Sequence, residues 1–127
     1  MQSTGTGAFG LLLALGLLGS TASHAADAGK AADTFVEECG DCHSLTPGKN
    51  KKGPSLRGVV GRSAGTVADY AGYSDAMKQA GFVWTVEKLD LYIAQPRKAV
   101  PGGRMKYDGL PDAQARANLI AYLSTMK

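Results

Sequence analysis

The sequence predicts a small all-α domain of about four to five short helices joined by long loops. Apolar residues recur at i, i+3 and i+4 beside helix-capping residues, and no segment alternates apolar and polar residues over more than a few positions. Between them, residues 46–65 hold Pro47, Gly48, Gly53, Pro54, Gly58, Gly61 and Gly65, which is loop chemistry. So long a loop is unusual in a compact domain unless it wraps something that is not protein. Aromatic residues are only 7% of the 127, with one Trp, so a buried cofactor helps to fill the core of so short a chain.

The first segment reads as a targeting signal. No Asp, Glu, Lys or Arg occurs from Met1 to Ala26, and the apolar run Ala8–Leu18 falls short of the roughly 20 residues that a membrane span needs. Small residues at Ser23 and Ala25 form an A-x-A-like processing site. The expectation is a cleaved signal peptide over residues 1–25 and an exported, periplasmic domain over residues 26–127. The α-amino group supplies the only positive charge of the leader. A retained anchor is the competing reading; after cleavage no membrane span remains.

Asp27 is placed to cap a first helix running to Cys39, with Ala28, Ala31, Ala32, Phe35 and Cys39 on one face. Ser74 is placed to cap a short helix that ends at Gly81. Thr85 is placed to cap another, with Leu89, Tyr92 and Ile93 inward and a stop before Pro96. Pro111-Asp112 opens the last helix, with Pro at its first position and Ala115, Leu119, Tyr122, Leu123 and Met126 on its inner face.

The composition excludes several classes. Hydrophobic residues at 44% and charged residues at 20% exclude a disordered chain. A net charge of +3 is too small for a dedicated nucleic-acid binder. Two cysteines cannot make a disulfide-dense scaffold.

Cys39-Gly40-Asp41-Cys42-His43 is C-x-x-C-H, the attachment motif of c-type haem. Residues three and four apart share a helix face, so two thiols and an imidazole meet one planar ligand. Zinc needs two more ligands, and residues 26–127 hold no other Cys or His. A thioredoxin-like dithiol belongs beside a βαβ unit, which the pattern lacks. With His24 removed with the leader, a sixth iron ligand must be a Met, a Lys, water or nothing. Met77 lies in a short helix and Met126 at the end of the last one. Met105 lies in the irregular segment Pro101-Gly102-Gly103-Arg104-Met105-Lys106-Tyr107 and is the favoured candidate.

Across residues 26–127 the chain resembles the class I c-type cytochromes, similar to mitochondrial cytochrome c and bacterial cytochrome c2. The resemblance rests on the pentapeptide, Lys52–Arg62, Tyr73–Ala76, Trp84, Leu89–Ile93, Pro96–Lys98, Val100–Met105 and Asn118–Leu123, in the family's order and spacing. It implies the small cytochrome c fold around one covalent haem c, with His43 and Met105 as axial ligands. It also implies that the Pro54 carbonyl accepts from His43, and that Arg62, Tyr73 and Trp84 bond a propionate. Tyr92 is expected near the Met105 sulfur, and Phe35 against Leu119 and Tyr122. The chain departs from the family at Met77, where many relatives have a buried Asn, at Tyr107, where mitochondrial members have Phe, and at Ala31, where Gly is frequent.

These residues imply a soluble electron carrier rather than an enzyme. Lys49, Lys51, Lys52, Arg97, Lys98, Arg104 and Lys106 are expected to rim the haem edge, with Asp33, Glu37, Glu38 and Asp41 clustered on the first helix. Such a rim steers docking to acidic-faced redox proteins: a quinol–cytochrome c reductase, a terminal oxidase, a photosynthetic reaction centre or a dehydrogenase. The chain itself is expected to be a monomer, with no nucleic-acid partner. Two alternatives stay open: an electron-transfer subunit held permanently by a dehydrogenase, and an open-site haem protein with peroxidase or gas-binding activity.

Overall fold

Three helices begin where a side-chain oxygen accepts a backbone N–H that would otherwise have no partner. Ser74 accepts from Met77 and opens α2 (Asp75–Lys78); Thr85 accepts from Lys88 and opens α3 (Val86–Ala94). Asp112 accepts from Ala115 at 2.9 Å and opens α5 (Ala113–Ser124). Pro111 therefore precedes the cap instead of occupying the first helical position, because the carboxylate is the better partner for the free N–H groups. The computed structural model describes residues 1–2, 4–5 and 21–127, the side chains of residues 21–26 excepted. The apolar run Ala8–Leu18 lies outside the described residues.

The first helix, α1 (Thr21–Glu38), starts upstream of Asp27, which stands inside it. The Ala-rich stretch before Asp27 has good helix propensity and nothing that stops a helix. Ala28 is exposed, so the buried stripe narrows to Ala31 and Phe35, with Cys39 half-buried below them. A further turn, α4 (Pro96–Ala99), follows α3 directly; Pro at its first position is free of the clash that ended α3. Helix α2 stops at Lys78, short of Gly81. Among the described residues there is no strand, only an isolated bridge between Ser63 and Val83. No described helix is long and apolar enough to cross a membrane.

Helix α5 packs on α1 and on α3, and α3 packs on α4. Phe35 of α1 faces α5, its ring 6.5 Å from that of Tyr122, and shares one core with Leu119, Ile120 and Leu123. Ile120 lies outside the single predicted face because α5 is covered from two sides. Val59, Ala64, Met77, Trp84, Leu89 and Val100 complete the core. Met77 is thus a buried apolar side chain. Arg116 fastens α5: its Nε donates to Asp90 at 2.7 Å and its Nη1 to the carbonyls of Leu110 and Pro111 at 2.8 and 2.9 Å.

Leu119 is fully buried where α5 meets the other helices. Truncating it to Ala should cost about 2–5 kcal/mol, read as the shift in a guanidinium unfolding curve. Val36→Ala, on the exposed side of α1, should stay within about 0.5 kcal/mol of the parent.

Candidate functional site

The helical hydrogen-bond pattern runs one turn past α1. Cys39 donates to the Phe35 carbonyl at 2.9 Å and His43 to the Cys39 carbonyl at 2.9 Å. Cys39, Cys42 and His43 are thereby gathered on one turn, and both cysteines are free, half-buried thiols. Burial first, then the charge of Glu38 and the neighbouring Cys42, push the Cys39 thiol up to about 11. A redox-active dithiol needs the opposite shift.

His43 Nδ1 lies 2.7 Å from the carbonyl of Pro54. A carbonyl only accepts, so Nδ1 carries the proton and Nε2 keeps its lone pair free. Burial lowers the His43 pKa; the Pro54 bond opposes that shift, and the charges of Arg62 and Lys51 add to it. The imidazole is therefore neutral, as a metal ligand must be. Gly53 makes room for it: a Cβ there would lie 2.7 Å from Nδ1 and closer still to Cε1. Ser55, almost wholly buried, pins the segment after Pro54 by donating its N–H to Asn50 and its hydroxyl to the Thr46 carbonyl, both at 2.8 Å.

Arg62 joins this half of the site to the other. Its Nη1 donates to the carbonyls of Ser55 and Arg57 at 3.1 and 3.0 Å, while its own carbonyl accepts from the N–H of Trp84 at 2.8 Å. The Trp84 ring stands edge-on to Tyr92, centroids 4.9 Å apart, and to Phe82 at 4.8 Å. The Tyr92 hydroxyl donates to the Met105 sulfur at 3.8 Å. Burial pushes that phenol up to about 12, so it remains a donor. Tyr73 accepts from the Val67 N–H at 3.2 Å and stands near Arg62. From His43 to Met105, the expected site residues thus form one connected set.

Buried Arg62 Nε has no hydrogen-bond partner among the described residues. A buried cationic donor left unpaired is costly, and an anionic carboxylate is its natural complement. The two free thiols, the neutral imidazole and this orphaned donor match the groups of a haem: vinyls, iron and a propionate. The residues present fit it.

A sequence-family model described as cytochrome c matches residues 26–127. Cytochrome c2 of Rhodopila globiformis is 52% identical over 93 residues, 73% of this chain and 87% of that protein. Cytochrome c2 of Blastochloris viridis is 41% identical over 116 residues, 91% of this chain and 88% of that protein. The structure is similar to that of cytochrome cH from Methylobacterium extorquens, with a TM-score of 0.72 and 40% identity over 78% of this chain and 98% of that one. The chain belongs to the cytochrome c family. It is an electron-transfer protein with one covalent haem c held through Cys39 and Cys42.

Gly53, Ser55 and Asn50 carry support roles that the sequence reading left unassigned. Gly53 entered that reading only as loop chemistry, and Ser55 only within the stretch Lys52–Arg62. Replacing Gly53 by Ala should drive the His43 ring off the Pro54 carbonyl and lower the fraction of purified chain that carries haem. The ratio of haem to protein absorbance measures this; an unchanged ratio would contradict the cradle.

Proposed function

We propose that residues 1–25 direct export and are removed, and that residues 26–127 act in the periplasm as a soluble, non-enzymatic carrier of single electrons. His43 and Met105 would hold the haem iron, and Arg62, Tyr73 and Trp84 would receive a propionate. The observation that carries this reading is the Tyr92–Met105 contact, which holds a loop thioether by a directed hydrogen bond from α3.

Bound haem supplies a one-electron iron couple, and thioether ligation raises its potential. The protein fixes the geometry. The Pro54 carbonyl orients His43 and makes its Nε2 more basic. Tyr92 holds the sulfur in place, and Arg62 offers charge and its free Nε to a carboxylate. Ligation by both His43 and Met105 would leave no place on the metal for a substrate, so the bound group would supply electron transfer alone.

Lys49, Lys51, Lys52, Arg97, Lys98, Arg104 and Lys106 are all exposed, whereas Asp33, Glu37 and Asp41 are exposed on or just after α1. A charge distribution of this kind steers encounter with an acidic partner and makes the on-rate depend on salt. The partner class is a quinol–cytochrome c reductase, terminal oxidase, reaction centre or dehydrogenase.

Met105→Ala should abolish the far-red sulfur-to-iron absorption of the oxidised protein, lower its potential and let the reduced form bind carbon monoxide. If the unaltered protein bound carbon monoxide as readily as the variant, the open-site reading would replace this one. Lys51 also donates to the Gly40 carbonyl, so Lys98 is the cleaner probe of the rim. Lys98→Glu should slow electron transfer from a quinol–cytochrome c reductase several-fold at low salt and flatten its salt dependence. Rates that matched the parent at every ionic strength would refute the docking rim.

A further inference from the structure

Between Gly103 and Leu110 the chain makes no backbone-to-backbone hydrogen bond among the described residues. Gly103 bonds back to Val100 at 3.1 Å, and Leu110 donates to Ile93 at 2.9 Å. Three side-chain polar contacts hold the stretch between these anchors. Met105 receives Tyr92; Asp108 pairs with Arg97 at 3.3 Å; Tyr107 donates its hydroxyl to Glu38 at 2.6 Å.

The third contact differs in kind from the others. The Arg97–Asp108 pair is exposed on both sides and contributes little. Tyr92 and Arg97 belong to α3 and α4, the elements that directly precede the loop in the chain. Glu38 is the last residue of α1, directly before Cys39. Tyr107 therefore ties the Met105 loop to the helix that leads into the thiol and imidazole side of the site. A hydrogen bond to a carboxylate is short and about twice as strong as a neutral one.

Glu38 also stands in a place that local electrostatics disfavours. The last turn of a helix concentrates partial negative charge and prefers a cation, yet α1 ends in Glu37 and Glu38 with no basic residue in its last turn. The phenol donor compensates one of these charges. A locally unfavourable choice with a long-range partner marks a device rather than a solvated charge.

We propose that the Tyr107–Glu38 hydrogen bond is a latch that positions the Met105 loop and sets how readily its thioether yields the iron to an outside ligand. This rests on Met105 being that ligand. Opening the loop breaks the bond, since one partner is carried by the loop and the other by α1. The latch thus lowers the population of the open form without touching the metal. Tyr107 is a positioning residue.

Cyanide association with the oxidised, haem-loaded full chain tests this, because cyanide enters only when the sulfur leaves. Tyr107→Phe keeps the ring and deletes the donor; Glu38→Ala deletes the acceptor on an exposed surface. Each should speed cyanide association about three- to tenfold, the range expected when one such bond is lost. The double variant should be no faster than either single one, and the far-red band should persist in all of them. Rates in Tyr107→Phe equal to the parent's, or a double variant whose effect is the product of the two, would overturn the latch. If Tyr107→Phe failed to load haem, Glu38→Ala alone would decide. Absence of the far-red band from the unaltered protein would instead defeat Met105 ligation itself, so the two failures are told apart.

Discussion

The proton on His43 Nδ1 meets one acceptor, the Pro54 carbonyl 2.7 Å away, and that pairing leaves Nε2 as the free nitrogen. Much of the surrounding architecture protects this arrangement. Gly53 yields the space for the ring, Ser55 and Asn50 hold the segment that carries the carbonyl, and burial keeps the imidazole neutral. An imidazole whose tautomer and orientation are fixed beforehand would need little reorganisation in holding a haem iron.

From that point the connections run outward through Arg62. Its guanidinium grips the Ser55 and Arg57 carbonyls, its backbone carries Trp84, and the Trp84 ring backs Tyr92, whose hydroxyl meets Met105. The His43 and Met105 ends of the site are therefore linked through one residue that also keeps a buried donor unpaired among the described residues. Core packing supplies the frame: α5 lies between α1 and α3, and Arg116 locks it to the segment that follows the Met105 loop.

Much of this was legible in the sequence, and for identifiable reasons. The C-x-x-C-H turn is local, so its geometry follows from spacing alone. Ser74 and Thr85 cap the helices that their positions indicated, whereas the last helix starts two residues later than expected, at Ala113, because the Asp112 carboxylate caps it. Phe35 and Tyr122 meet where the paired faces of α1 and α5 required. What stayed hidden depends on contacts between distant residues. Ile120 is buried only because α5 is covered twice, and the roles of Arg116 and Glu38 exist only once a partner far along the chain arrives. A one-dimensional pattern reports a helix face, not which charged residue on the other face will find a carbonyl or a phenol. The start of α1 was missed for a different reason: Asp27 has capping chemistry, but the Ala-rich residues before it were equally content to be helical.

Iron-edge X-ray absorption of the oxidised, haem-loaded protein tests the central claim most directly, because it counts the atoms bound to the metal. Four porphyrin nitrogens, one imidazole nitrogen and one sulfur at bonding distance are expected. A sixth shell of nitrogen or oxygen in place of sulfur, or five-coordinate iron, would contradict the account.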